Sequence, residues 1–136
     1  MLGALIDAGI DIAQIQAGVD SLGLPTCHLV AGTVSKCGFR ATKVNVQYEP
    51  EHVHRHLHHI TEMIDNSQLT ENQKDLAKRI FTKLGEAEAK VHGCSIEQVH
   101  FHEVGAVDSI ADIVGTAIGW DLLGVDHIEC SPIPTG

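Results

Sequence analysis

The chain has 136 residues, of which 43% are hydrophobic and 20% are charged. These fractions are typical of a globular domain and exclude disordered, collagen-like and low-complexity classes. Nine Lys and Arg residues against 18 Asp and Glu residues give a net charge of −9 at pH 7. We therefore expect no nucleic-acid partner, which would require a basic face. The unusual feature is ten histidines beside one Trp and one Tyr, because imidazole both titrates near neutrality and binds metals.

The residue pattern predicts neither a membrane-spanning helix nor a secretory signal. No run reaches the roughly 18 apolar residues of a membrane-spanning helix, and the apolar start over 1–6 lacks a basic region and is interrupted at Asp7. We expect a cytoplasmic protein with no membrane partner. The four cysteines are widely spaced, with no Cys-x-x-Cys pair, which predicts reduced, partly buried thiols.

Two helices are predicted at the start of the chain. Apolar spacing over 2–6 indicates the first. The second begins after Asp11, with Gln14 completing a capping box, and ends at Gly23. Because nothing resembling a cap or strand precedes the first helix, we expect the chain to be a fragment of a longer protein.

Two strands are predicted next, over 28–34 and 42–48, joined by a turn at 36–38. Apolar and polar residues alternate over 43–48. This alternation predicts that one face of the hairpin is buried and the other is exposed to solvent.

Two further helices are predicted in the middle of the chain. Apolar residues over 57–64 indicate a short helix that ends near Asn66. Thr70 and Gln73 form a capping box before the longest helix, which ends at Gly93.

The last elements are a strand over Val99–Val104, a helix over Ser109–Leu123 capped by Asp108 and stopped at Gly124, and a final strand over His127–Ile133. Helices and strands interleave, yet two neighbouring strands are joined as a hairpin. We therefore predict a single α+β domain over 1–136, with a mixed sheet that contains a β-hairpin and is covered by helices.

The densest histidine tract offers a candidate metal site. Its members are His52, His54, His56, His58 and His59. An extended backbone would place the four even-numbered histidines on one face at a repeat of about 7 Å, whereas a helix would align His52, His56 and His59. Pro50 favours extended backbone as far as about His54, and the apolar residues from Leu57 favour a helix after it.

Imidazole donors suit Zn, Cu, Fe and Ni alike, so the tract does not name its metal. The lack of a thiolate partner argues against a soft-metal cysteine site. The alternative interpretation is a solvated, pH-responsive loop that binds no ligand.

A second group of chemically active residues lies over 100–112. Its members are His100, His102, Glu103, Asp108 and Asp112. In a strand the two histidines point the same way, and the two aspartates are i, i+4 neighbours at the start of the next helix. Gly105 would permit the tight turn between them. The alternative is that His-x-His is accidental and that Asp108 only complements the helix dipole.

Gly115 and Gly119 continue the helical face of Asp112 and would admit either a packed helix or a ligand. The chain has no Gly-x-x-x-x-Gly-Lys-[Ser/Thr] phosphate loop, no Gly-x-Ser-x-Gly elbow and no His-Glu-x-x-His helix. Residue chemistry alone therefore predicts a metal-binding domain.

The block over 100–115, reading His-Phe-His-Glu-Val-Gly-Ala-Val-Asp-Ser-Ile-Ala-Asp-Ile-Val-Gly, resembles the signature of the LarC family of nickel insertion proteins. Other segments resemble the same family: its first helix over 1–7, its hairpin over 38–44, its long helix over 86–93 and its exit strand over 131–134. Family members begin with a strand and a loop ending in Ser-Gly-Asp-Met, of which Met1 would be the remainder, and continue into a C-terminal domain.

The resemblance implies a CTP-dependent cyclometallase, a lyase-type chelatase, that inserts Ni(II) into pyridinium-3,5-bisthiocarboxylic acid mononucleotide. It implies nickel binding by the five histidines of the tract. We expect His102, Glu103 and Asp108 to act in catalysis, and His100, Gly105 and Asp112 to contact the cofactor precursor. CTP, with a divalent cation, is expected in the C-terminal domain.

The product is the nickel-pincer cofactor of lactate racemase-type enzymes, whose apoenzyme is a candidate partner. The competing interpretation is a non-catalytic, histidine-rich nickel-storage module that delivers metal to a site elsewhere. The sequence leaves a homo-oligomer open, and insertion by this chain alone is not implied.

Overall fold

The computed structural model describes residues 1–49, 55–101 and 104–133. Within these ranges the regular structure consists of five α-helices, one short 3-10 helix at Ile96–Gln98 and one antiparallel pair of strands. The helices are α1 (Leu2–Asp7), α2 (Ile12–Asp20), α3 (Leu57–Asp65), α4 (Glu71–His92) and α5 (Val107–Leu123), and the strands are β1 (Cys27–Lys36) and β2 (Phe39–Tyr48). The α+β class and the hairpin are confirmed. None of the described helices is long and apolar enough to cross a lipid bilayer.

The hairpin is set by its turn. Cys37 and Gly38 both have positive φ, 51° and 83°, the combination that a two-residue type I′ turn requires. The ladder runs in register from Lys36↔Phe39 to Cys27↔Tyr48. Along β2 the exposed and half-buried residues alternate as predicted, because one face packs on the helices and the other faces solvent.

Helix starts follow the predicted capping chemistry in part. Thr70 and Gln73 form the predicted capping box of α4, with bonds of 3.2 and 3.1 Å. Asp11 caps α2 by accepting from the backbone N–H of Ala13 at 2.9 Å, in place of the predicted reciprocal pair with Gln14. The Asp11 carboxylate reaches the backbone N–H of the second helical residue directly, so the cap does not need the side chain of Gln14.

Helix α5 lies at the centre of the core, with apolar residues buried along most of its length. Gly115 and Gly119 face α1 at close range: a Cβ on Gly115 would lie 3.0 Å from Cδ2 of Leu2, and one on Gly119 would lie 2.7 Å from Cδ1 of Leu5. Of the two sequence-based alternatives, the structure shows helix packing at these glycines.

The start of α5 differs from the prediction. The helix begins at Val107 with Ala106 as N-cap, so Asp108 lies in its first turn and is not the cap. Ala106 has the extended backbone of an N-cap residue (φ −73°, ψ 155°), so the helix begins two residues before the predicted start at Ser109. The carboxylate of Asp108 instead accepts from the backbone N–H of Ser109 at 2.9 Å.

The mixed sheet is not formed by the described residues. The predicted strand over 99–104 is reduced to one isolated antiparallel bridge between Arg55 and Phe101. The predicted strand over 127–133 has no strand geometry, and Ile128 and Ile133 are exposed. A strand needs a neighbour for its backbone N–H and C=O groups. In the described part of the chain the first segment is paired only at Arg55 and Phe101, and the second is paired with no strand.

Candidate functional site

The histidine tract changes conformation at its centre. His52 and His54 lie outside the described residues. His56 is the N-cap of α3 with extended backbone (φ −83°, ψ 163°), and the helix begins at Leu57. The predicted change from extended to helical backbone is confirmed for the described half of the tract.

The structure gathers four imidazoles from both predicted groups. The ring centroid of His56 lies 4.0 Å from that of His100 and 5.4 and 5.5 Å from those of His58 and His59. The His58 and His59 centroids are 4.0 Å apart. His100 therefore lies next to the histidine tract in space. Sequence spacing did not predict this contact, because the two segments are far apart along the chain.

Hydrogen bonds separate the roles of two of these rings. Nδ1 of His56 lies 3.0 Å from the carbonyl oxygen of Val99, and a carbonyl can only accept, so Nδ1 of His56 carries the hydrogen. Nδ1 of His59 accepts from the backbone N–H of His56 at 3.1 Å. The His59 ring thus contributes to capping α3. In the His56 ring, with the hydrogen on Nδ1, the free lone pair lies on Nε2.

A complete metal site is not formed by the described side chains. No three His, Cys, Asp or Glu residues within 1–49, 55–101 and 104–133 are arranged to hold one ion. The predicted five-histidine nickel site stays a prediction, since His52 and His54 lie outside these ranges.

Arg55 fastens the tract to the second group. Its side chain is buried, and its guanidinium Nη1 donates to the carbonyl oxygen of Gly105 at 2.7 Å. Its own carbonyl oxygen accepts from the backbone N–H of Phe101 at 3.0 Å. The sequence analysis missed this residue. The available signal was that Arg55 is the only non-histidine cation inside the tract.

Gly105 is required by close contact. Its φ is not in the positive range, so the turn itself would accept another residue. A Cβ at this position would lie 2.7 Å from the carbonyl oxygen of Phe101 and 3.3 Å from Cβ of Arg55. Glycine is therefore required here by packing and not, as predicted, by the turn, and the predicted contact of Gly105 with the cofactor precursor stays a prediction. His102 and Glu103 lie outside the described residues.

Asp108 and Asp112 line an open groove of about 650 Å³ between the hairpin, α1 and the start of α5. The polar residues along it are Lys36, Thr42, Lys43, Asn45, Asp108, Ser109 and Asp112. Both signs of charge are present, so the groove can accept a ligand with a phosphate and a cationic ring. The two lysines were missed, because nothing in the sequence distinguishes them from the other surface cations.

One wall of the groove is braced by Asp7. Its carboxylate accepts from the hydroxyl of Thr42 at 2.8 Å and pairs with Arg40 at 3.1 Å. The Thr42 hydrogen bond and the Arg40 charge lower the pKa of Asp7 from its usual value. This contact fixes α1 against β2.

Close to α5, burial raises the pKa of the Cys27 thiol, and the charges of Asp20 and Asp108 raise it further. The thiol is therefore held protonated and contributes as an apolar core group.

The family model for the nickel insertion protein matches residues 1–136. The chain belongs to the nickel insertion protein family. It is similar to the pyridinium-3,5-bisthiocarboxylic acid mononucleotide nickel insertion protein of Desulfitobacterium hafniense, with 48% identity over 136 residues that cover 100% of this chain and 34% of that protein. A nickel-insertion family protein of Rhodopirellula baltica is 58% identical over 136 residues, covering 99% of this chain and 34% of that protein.

The chain thus spans about one third of the length of these relatives. No solved structure matches it. Family membership confirms the resemblance drawn from the block over 100–115.

Proposed function

We propose that this chain captures Ni(II) on its imidazoles and forms part of the site where the metal is inserted into pyridinium-3,5-bisthiocarboxylic acid mononucleotide. The observation that carries the proposal is the buried Arg55, which holds the histidine tract against the turn that leads to Asp108. The substrate is taken from the name of the Desulfitobacterium hafniense relative. The full-length protein is then a nickel chelatase of the lyase type.

Nickel enters this scheme as a substrate. Imidazoles suit Ni(II) and, as labile monodentate ligands, can be replaced one at a time. The net charge of −9 favours approach of a divalent cation at long range. Protonation of the rings releases metal as the pH falls. We place capture on the tract over 52–59.

We place the mononucleotide in the groove beside the start of α5. A phosphate fits the Lys36 and Lys43 side, because an ammonium group is a strong point-charge partner for phosphate oxygens. The pyridinium ring, which is cationic, fits the side of Asp108 and Asp112. The groove volume of about 650 Å³ is in the range of small-ligand pockets.

Forming a nickel–carbon bond in the ring requires removal of a ring proton. His102 and Glu103 are our candidates for the base, since they lie in the block between His100 and Gly105. The chain has no glycine-rich phosphate loop, so we place no CTP step on its residues. CTP dependence, its divalent cation and transfer of the product to a lactate racemase-type apoenzyme are proposed for the whole protein.

Single-turnover insertion by the full-length protein tests the groove. Asp108→Asn, Asp112→Asn and Lys43→Ala should each slow insertion by about tenfold or more, as expected for groups that position or stabilise charge. Glu71→Gln, on the exposed first turn of α4, is the matched control. Unchanged insertion in all three groove variants would remove the mononucleotide from this groove. His102→Ala and Glu103→Gln test the candidate bases by the same assay.

The storage-module alternative is favoured by one observation, the exposure of His58 and His59. Replacing the five tract histidines by Gln separates the two functions and keeps Arg55 in place. A storage module would lose stoichiometric nickel binding while insertion with excess nickel continues. An insertion site would lose both.

A further inference from the structure

We infer that His56 and His100 form a two-imidazole half-site for Ni(II), the point from which the metal leaves the tract for the second group. The inference rests on the proposed function and names the ligands of its first step.

The backbone places these two rings opposite one another. Arg55 and Phe101 form an antiparallel bridge, so the next pair along it, His56 and His100, are cross-strand neighbours whose side chains lie on the same side. Their ring centroids are 4.0 Å apart and their planes are inclined at 48°. A pair fixed by backbone pairing and by the buried Arg55 keeps its geometry without a metal.

The hydrogen bonding of His56 matches that of a metal ligand. Histidines that bind metals generally donate their second ring N–H to a carbonyl or carboxylate, which fixes the tautomer and raises the basicity of the ligating nitrogen. Nδ1 of His56 makes such a bond to the carbonyl oxygen of Val99 at 3.0 Å. Nε2 of His56 is therefore the donor to nickel.

His59 has the opposite arrangement. Its Nδ1 lone pair accepts from the backbone N–H of His56, so the neutral ring carries its hydrogen on Nε2. To bind nickel it would have to give up its capping bond or change tautomer. His59 is therefore a capping residue of α3, and the half-site does not include it.

Two imidazoles leave most of the coordination sphere of Ni(II) to water. This agrees with the finding that no three described side chains form a closed site. Open positions are what a transfer step needs, since the sulfur donors of the substrate can enter before the imidazoles leave.

Titration of Ni(II) into the chain by calorimetry tests the half-site with three variants chosen to keep the fold. His56→Asn keeps a favourable N-cap residue, and His59→Gln keeps the Gln that a capping box uses at this position. His100→Asn removes the partner ring. Circular dichroism melting checks that each variant is folded.

We expect His56→Asn and His100→Asn each to weaken the tightest nickel site by about tenfold or more. The double variant should weaken the site by less than the product of the two single effects, because the second removal costs only the affinity of one remaining imidazole. His59→Gln should stay within about twofold of the parent chain. In proton NMR, the nickel-shifted ring N–H signals of the parent should persist in His59→Gln and disappear in His56→Asn.

Nickel binding that is insensitive to His56→Asn and His100→Asn, or lost in His59→Gln, would overturn the half-site while leaving nickel capture by the tract intact. A parent chain that binds no nickel would overturn both the half-site and the capture step of the proposed function.

Discussion

The guanidinium of Arg55 donates to the carbonyl oxygen of Gly105 at 2.7 Å, across fifty positions of sequence. Arg55 lies inside the histidine tract, and Gly105 lies in the turn before α5. This buried hydrogen bond therefore ties the segment that carries the imidazoles to the turn that leads to the groove carboxylates. Stability and nickel transfer should both depend on it.

Arg55→Lys should destabilise the chain by roughly 1–3 kcal/mol, because the shorter, non-planar lysine side chain does not place an N–H donor where the guanidinium Nη1 meets the buried Gly105 carbonyl. Urea unfolding followed by circular dichroism measures the change. Arg79→Lys is the matched control, since Arg79 pairs with Asp75 at the exposed surface of α4, and it should change stability by less than about 0.5 kcal/mol. Equal effects in the two variants would contradict the structural role of Arg55.

Gly105→Ala should destabilise by roughly 1–3 kcal/mol, because the added Cβ meets the backbone oxygen of Phe101 and forces it to move. Gly32→Ala in β1 is the control, as a Cβ there has nothing within 4 Å. It should be neutral or stabilising by up to about 1 kcal/mol. A neutral Gly105→Ala would show that the contact between the turn and the tract is loose.

The Asp7 contact should make the docking of α1 on β2 sensitive to acid. Thr42 and Arg40 lower the pKa of Asp7 in the folded chain, so its carboxylate stabilises the fold above the unfolded-state pKa and loses that effect as the pH falls through the folded-state pKa. Melting temperatures should be higher for the parent than for Asp7→Asn at pH 7, with the difference shrinking below about pH 4.

Asp126→Asn is the control for this pH dependence, because Asp126 is exposed. It should leave the melting temperature unchanged at both pH values. A gap between the parent and Asp7→Asn that widens in acid would contradict the assignment.

The cysteines should differ in reactivity. Iodoacetamide at pH 8 should modify the exposed Cys37 and Cys130 and spare Cys27, because burial raises the pKa of its thiol and covers the sulfur. Peptide mapping by mass spectrometry measures the rates, and labelling in guanidinium gives the unprotected reference. Modification of Cys27 at the rate of Cys37 would show that the packing around the start of α5 opens readily.

Local structure could be predicted from the sequence where a few neighbouring residues decide the backbone conformation. The turn at Cys37 and Gly38, the capping box of Thr70 with Gln73 and the helix that begins at Leu57 all follow from short-range hydrogen bonding and apolar spacing. Among the described residues, the two further strands predicted over 99–104 and 127–133 do not form, apart from the single bridge at Phe101. A strand depends on a neighbour elsewhere in the chain, which single-sequence alternation does not specify.

The sequence by itself determined the α+β class, the hairpin, the helices and the two groups of residues on which we propose the nickel chemistry, because these follow from residue type and spacing. Only the tertiary structure decided that His100 meets His56, that Arg55 is buried beneath Gly105 and that Lys43 shares a groove with Asp112. Such contacts are set by how α5, the hairpin and α3 pack together, and packing joins residues whose separation along the chain leaves no periodic signal.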